Sequence, residues 1–117
     1  MKTDPKVVKR GDIFWANLGS VDKNTPTSIQ LNRRPVVVVS NNQINKYSPV
    51  VTVVPLTTKQ RNEYLPTHIS IRCVQDSICL AEQIRVVDKT VLGWYIGRAF
   101  KKDMKRLNHA IRVHLSI

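Results

Sequence analysis

Metal chemistry finds few ligands in this sequence. Its 117 residues include only two cysteines and three histidines, and neither set has the spacing of metal ligands. Cys73 and Cys79 read as buried or half-buried thiols of a cytosolic protein, with a disulfide neither needed nor excluded. Glycine is scarce at four residues, and no glycine-rich run stands ahead of a helix. That removes a phosphate-cradling nucleotide loop and an ATP-driven reaction with it. No pair of carboxylates carries a catalytic signature, so no cofactor and no metal are expected. No apolar stretch approaches the length of a membrane span, since Val50 to Leu56 is strand-sized. The opening Met1-Lys2-Thr3-Asp4-Pro5-Lys6 has no apolar segment of the signal-peptide kind, and a cytoplasmic protein is expected. Acid is the scarcest charge: 8 Asp and Glu stand against 19 Lys and Arg, giving +11 and a pI near 10.2. A surplus of that size in a small domain points to a polyanionic partner, nucleic acid first and an acidic protein segment second.

What is present reads as short strands closed by one helix, in a single domain spanning residues 1–117. Ile13 to Leu18 has strand composition after the turn-like Arg10-Gly11-Asp12. Trp15 within it reads as core. Residues 19–32 carry turn formers and form a long loop, of the kind that is usually functional. Pro35 to Ser40 is a continuous β-branched run, the mark of a strand buried on both faces. Asn41 to Pro49 is polar and turn-rich, and Val50 to Leu56 is the next strand, delivering Thr57 and Thr58 at its end. Lys59 to Glu63 is a second exposed loop. Alternation over Pro66 to Arg72 sets Ile69 and Ile71 inward, with His68, Ser70 and Arg72 outward. Ser77 to Val87 reads as one further strand, and Asp88 to Leu92 as a single helical turn capped by Asp88. Lys101 to Leu115 is the convincing helix, with Met104, Leu107, Ile111 and Leu115 as its apolar stripe. Lys101 and Lys102 in its first turn oppose the helix dipole. The segment from Arg98 to Ile117 is strongly basic and reads as a solvated face packed over the strands. The fold class is mainly β with a C-terminal helix, as a small antiparallel barrel or strongly curled sheet.

His68, His109 and His114 read as ordinary surface or boundary histidines. The remaining chemistry lies at strand ends. Arg34 precedes Pro35 at the loop–strand junction, where a guanidinium offers an anionic phosphate a planar fork of donors and the strand holds it in register. Taken alone it could equally be a charged residue at a strand end. With Thr57 and Glu82 it forms a set able to act on a phosphodiester. RNA carries its own nucleophile, the 2′-hydroxyl, so a protein need only align that hydroxyl, steady the charge on the phosphorane and manage proton transfer. DNA could bind but not react by this route.

Five blocks, in order, carry a resemblance. Val8-Lys9-Arg10-Gly11-Asp12-Ile13-Phe14 resembles the opening of the MazF/PemK-type toxins of bacterial toxin–antitoxin systems. Arg34-Pro35-Val36-Val37-Val38-Val39-Ser40-Asn41 is similar to their Arg-Pro-Val-Leu-Val block. Ser48-Pro49 with Val53-Val54-Pro55-Leu56-Thr57 resembles the strand that ends in the family's Thr or Ser, and Leu65 to His68 and Asp76 to Arg85 complete the series. The resemblance implies a small SH3-like barrel, a homodimer, and a sequence-specific, metal-independent endoribonuclease that cleaves single-stranded RNA. It also implies an antitoxin whose acidic, flexible tail covers the toxin surface. A basic surface suits both ligands. By the match Arg34 takes the catalytic arginine role, Thr57 the catalytic hydroxyl role, and Glu82 and Gln83 fall among site-lining polar residues. Gln30, Asn32, Arg33, Lys59 and Arg61 are the further candidate RNA contacts. The chain differs from the family in two places: its first loop has Ile29-Gln30-Leu31-Asn32-Arg33 where glycines usually stand, and it has Leu80 and Glu82 where one branch has arginine and aspartate.

Two other classes remain open at this stage. A gyrase poison of the CcdB type would share the barrel, although the chain ends in His114-Leu115-Ser116-Ile117 and not in the Trp-Gly-Ile-like end of those toxins. An inert nucleic-acid-binding barrel would use Trp15, Tyr47 or Tyr64 as stacking platforms.

Overall fold

The computed structural model describes residues 7–19, 33–58, 65–72 and 76–117. Among these the strands are β1 (Asp12–Asn17), β2 (Arg33–Val38), β3 (Val50–Thr57), β4 (His68–Arg72), β5 (Asp76–Leu80), β6 (Arg85–Asp88) and β7 (Leu92–Arg98). The helices are α1 (Asn42–Tyr47) and α2 (Lys101–Leu115). All strand pairs are antiparallel, in the order β4-β5-β3-β2-β1-β7 with β6 also on β3. This is the curled antiparallel sheet with a C-terminal helix that the sequence predicts. No described helix is long and apolar enough to cross a membrane.

The sheet is buried on both faces at its centre. Val37, Val54 and Leu56 point to one apolar cluster, roofed by Met104, Leu107 and Ala110 of α2. Val36, Val38, Val51 and Val53 point to a second cluster with Phe14, Ala16 and Leu92. The β-branched run at residues 36–38 follows from this, since successive side chains meet opposite cores. The same alternation corrects the reading of Trp15. It shares the face of Ile13 but lies beyond the reach of α2, and it is 41% exposed.

β1 begins at a tight turn. Gly11 adopts φ +96, a conformation open to glycine, and its N–H donates to the Val38 carbonyl at 2.8 Å. Asp12 then ties three segments together, accepting from the Lys9 N–H at 2.9 Å and from Arg98 Nε at 3.2 Å. Near the end of β2, a buried Asn45 from α1 donates to the Ser40 carbonyl at 2.8 Å, and Ser40 Oγ accepts from the Thr52 N–H at 3.0 Å. This polar knot fixes β2 against β3 at the end away from Arg34.

Four further expectations need correction. The single strand over Ser77–Val87 is two strands, β5 and β6, separated by a 3₁₀ turn at Ala81–Gln83. The eight-residue β3 explains the break, because β5 pairs with its end (Leu56, Thr57) and β6 with its beginning (Val50–Val53). The polar stretch after Asn41 is a helix, α1, capped by Asn41 Oδ1 on the Ile44 N–H at 2.8 Å. β7, absent from the sequence reading, pairs with β1 and holds Gly93 against the Trp15 carbonyl. On α2, Leu115 is 48% exposed, and Ala110 occupies the core position with Leu107. Asp88 caps the turn at Lys89–Val91 as expected, accepting from the Thr90 N–H at 2.9 Å.

Candidate functional site

The β2–β3 ladder pairs Val36 with Pro55. That is the last pair of the ladder. Arg34, two residues before Val36, pairs with Ala16 of β1, and Thr57, two residues after Pro55, pairs with Ile78 of β5, so both lie just beyond the same end of the ladder. Both lie where doubly buried strands give way to loop. Arg34 is half-buried, and among the described residues it makes no ion pair. A half-buried guanidinium without a carboxylate keeps its donors for an anion. Thr57 is buried, and β5 fixes it from the other side through its pairing with Ile78. Its backbone is set by β5 on that edge, which limits where the hydroxyl can reach.

A cleft of about 640 Å³ opens beside Thr57, lined by Thr58, Arg72, Asp76, Phe100 and Lys102 among others. Arg34 does not line it and comes to Thr57 from the β2 side. Arg33 is exposed at the start of β2, opposite Asn17. Gln30, Asn32, Lys59 and Arg61 lie outside the described residues.

Glu82 and Gln83 sit in the 3₁₀ turn after β5. By the β3–β5 register Leu80 stands level with Pro55, so this turn is displaced from Thr57 by at least two residues, roughly 7 Å of strand. Gln83 is exposed. Glu82 has a partner that the sequence reading missed. Glu82 Oε2 lies 2.9 Å from His68 Nε2, and the His68 side chain is only 5% exposed. His68 is thus no surface histidine. Alternation places it opposite Leu80, and the turn that follows folds Glu82 back over the ring. The two residues are far apart in sequence and only the strand register joins them, so no local motif could have shown the pair. The cleft residue Phe100 was missed as well, although an apolar residue at a helix cap position was the available signal; the sequence shows Lys102 only as a dipole-opposing lysine on a solvated basic face.

Glu82 titrates below its ordinary value of 4.5. Burial acts in the opposite direction and is the largest single influence, but hydrogen bonds from His68, Thr67 and the residue's own backbone together outweigh it, with the His68 charge assisting. Oε1 is buried and forms no hydrogen bond among the described residues, so Thr67 favours the anion without a well-aligned contact to that oxygen. A carboxylate with a lowered pKa is a weak proton acceptor at neutral pH and a steady hydrogen-bond acceptor. Arg98, Arg106 and Arg72 are engaged with Asp12, Asp103 and Asp76, which leaves most of the basic surplus uncompensated at the surface.

Comparison with known proteins gives concordant matches. A family model described as PemK-like, MazF-like toxin of type II toxin–antitoxin system matches residues 9–115. A curated relative, "Endoribonuclease MazF" of Staphylococcus saprophyticus, is 35% identical over 116 residues, covering 95% of this chain and 93% of the relative. A mycobacterial endoribonuclease solved in complex with its cognate antitoxin superposes with a TM-score of 0.78 at 26% identity, covering 94% of this chain and 96% of the other. Deinococcus radiodurans MazF shares the fold, with a TM-score of 0.78 at 16% identity over 96% of this chain and 99% of its own.

Proposed function

The chain belongs to the PemK-like, MazF-like toxins of type II toxin–antitoxin systems, and from that premise we propose that it is a sequence-specific endoribonuclease acting on single-stranded RNA. The reaction is attack of the RNA's own 2′-hydroxyl on the adjacent phosphate, with no metal ion required. The new bond closes a 2′,3′-cyclic phosphate, the bond to the 5′-oxygen breaks, and the 2′-hydroxyl proton passes to water while the leaving 5′-oxygen takes one from water. The observation that carries the reading is the half-buried Arg34, outside any ion pair among the described residues, lying with Thr57 just beyond the same end of the β2–β3 ladder.

In this mechanism Arg34 steadies the charge that grows on the non-bridging oxygens, through a two-pronged contact. Thr57 donates its hydroxyl to the same phosphate and holds it in line with the attacking oxygen. Glu82, ionised and braced by His68 at 2.9 Å, is the third member of the set and borders the RNA path away from the reacting bond. Gln30, Asn32, Arg33, Lys59, Arg61 and Gln83 contact the flanking RNA.

The relative solved in complex with its cognate antitoxin supports a second partner, which we read as an antitoxin whose acidic, flexible tail competes with RNA for this basic surface. The protein acts as a homodimer in the cytoplasm, with residues 1–117 as one toxin domain.

The test is incubation of the purified protein with varied single-stranded RNAs in EDTA. The wild type cuts them, and Arg34→Ala cuts about 10²–10³-fold more slowly with an unchanged melting curve, the loss expected for one charge-stabilising donor. Equal cutting by the variant, or no cutting by either protein, overturns the reading.

A further inference from the structure

The cleft beside Thr57 opens onto the start of α2, and the residues at that lip depart from helix rules together. Position 100 caps α2, where a short oxygen-bearing side chain normally accepts a backbone N–H. Phe100 makes no side-chain cap bond, and it is 61% exposed. Its carbonyl accepts from the N–H groups of Asp103 and Met104, each at 3.0 Å, so its backbone is held firmly. The next two residues are exposed lysines, Lys101 and Lys102, in a turn that favours acids, and Lys105 is exposed one turn on.

Neighbouring cations are already engaged. Arg106 is held by Asp103 at 3.3 Å and by the Ser70 carbonyl at 2.8 Å, and Arg72 by Asp76 at 3.2 Å. Among the described residues none of the three lysines makes an ion pair. An exposed ring beside uncompensated cations matches what a flexible nucleic-acid strand presents, a flat base and a chain of phosphates. Local departures that coincide at one place are expected where a surface serves a ligand.

We propose that Phe100, Lys101, Lys102 and Lys105 form a subsite for the single-stranded RNA that flanks the scissile bond. A base beyond the reacting phosphate stacks on Phe100, and the following phosphates are held by the lysines. The subsite is built from side chains, not from the terminal amides of the helix. Phe100 and Lys102 line the same cleft as Thr57, so a strand leaving the reacting phosphate through that cleft meets the ring first and the cations next. Lys102 and Lys105 are neighbours on one helix face. The exposed ring decides for a nucleotide strand over an acidic peptide, which would need the lysines alone. This inference rests on the ribonuclease reading of the Arg34–Thr57 corner.

The experiment compares two fluorescent RNAs that share a mapped cleavage sequence, one with almost no flanks and one with long single-stranded flanks. The wild type cleaves the long RNA with the higher kcat/KM, and this preference weakens with salt. In Phe100→Ser, which restores a capping hydroxyl, and in the combined Lys101→Gln, Lys102→Gln and Lys105→Gln variant, the long-to-short ratio falls about tenfold, chiefly through KM. The triple variant also flattens the salt slope of long-RNA binding by about 2, as expected when three phosphate contacts to a single strand are lost. An unchanged ratio in both variants overturns the subsite while leaving the ribonuclease reading intact. Cleavage of neither RNA by the wild type defeats that reading first. Weakened binding of an acidic peptide with an unchanged RNA ratio overturns the subsite in favour of a protein partner.

Discussion

Arg34 and Thr57 lie just beyond the same end of the β2–β3 ladder, and each has a different margin for change. Thr57 is buried and backbone-paired with Ile78, so Thr57→Ser keeps both the hydroxyl and the strand. Thr57→Ala removes the hydroxyl together with the methyl group that Ser also lacks. We expect Ser to retain most of the cleavage rate and Ala to lose about 10²-fold, within the range for a single charge-stabilising hydrogen bond. Single-turnover rates with unchanged circular dichroism check this, and equal loss in the two variants would point to packing instead. Glu82 gives a pH signature. Its folded-state pKa lies below the ordinary 4.5, so as pH falls the unfolded chain takes up the proton first. The stabilisation it brings is complete above pH 4.5 and disappears as pH drops through the folded-state value. Melting curves of wild type and Glu82→Gln should therefore differ at neutral pH and converge in acid. At this level the positions of Arg34 and Thr57 could be read from sequence because each borders an apolar run, while the roles proposed for them rest on the family resemblance. The burial of His68 could not, because its partner lies in the 3₁₀ turn after the neighbouring strand.

The elements divide in a similar way. β2, β3 and α2 were readable because their apolar patterns are long and period-specific: β-branched runs for the strands and a helical stripe for α2. α1 is too short for a periodic signal and owes its place to the Asn41 cap and the buried Asn45. β7 carries two glycines, and its pairing with β1 includes register shifts, so its strand character comes from tertiary contact and not from propensity. The break between β5 and β6 is set by the length of β3, which local composition does not reveal. α2 roofs the cluster that backs Val37 and Leu56, with Leu107 at 1% exposure as its central contact. Leu107→Ala should destabilise the fold by about 2–5 kcal/mol, the usual range for a buried leucine truncation. Denaturant unfolding measures it, and a loss well below 1 kcal/mol would mean that α2 contributes little to the core.

For the molecule as a whole, the governing quantity is charge. With +11 net and few ion pairs among the described residues, RNA affinity should be dominated by phosphate contacts. A substrate made uncleavable by a 2′-deoxy nucleotide at the scissile position isolates binding from reaction. Its log affinity should fall linearly with log salt, by about 0.7 per phosphate held. A flat response in a filter-binding titration would mean that bases, not phosphates, hold the strand. The composition showed this balance from the start, while the gathering of exposed lysines beside the Thr57 cleft needed the fold. The doubly buried strands β2 and β3 also bear on how such a protein can diversify. Residues 36–38 and 53–56 face one core or the other with no tolerant side, so ancestry is constrained there from two directions at once. Variation is left to the loops beyond Arg34 and Thr57. A lineage can change which RNA it cuts while the mount of the reacting pair stays the same.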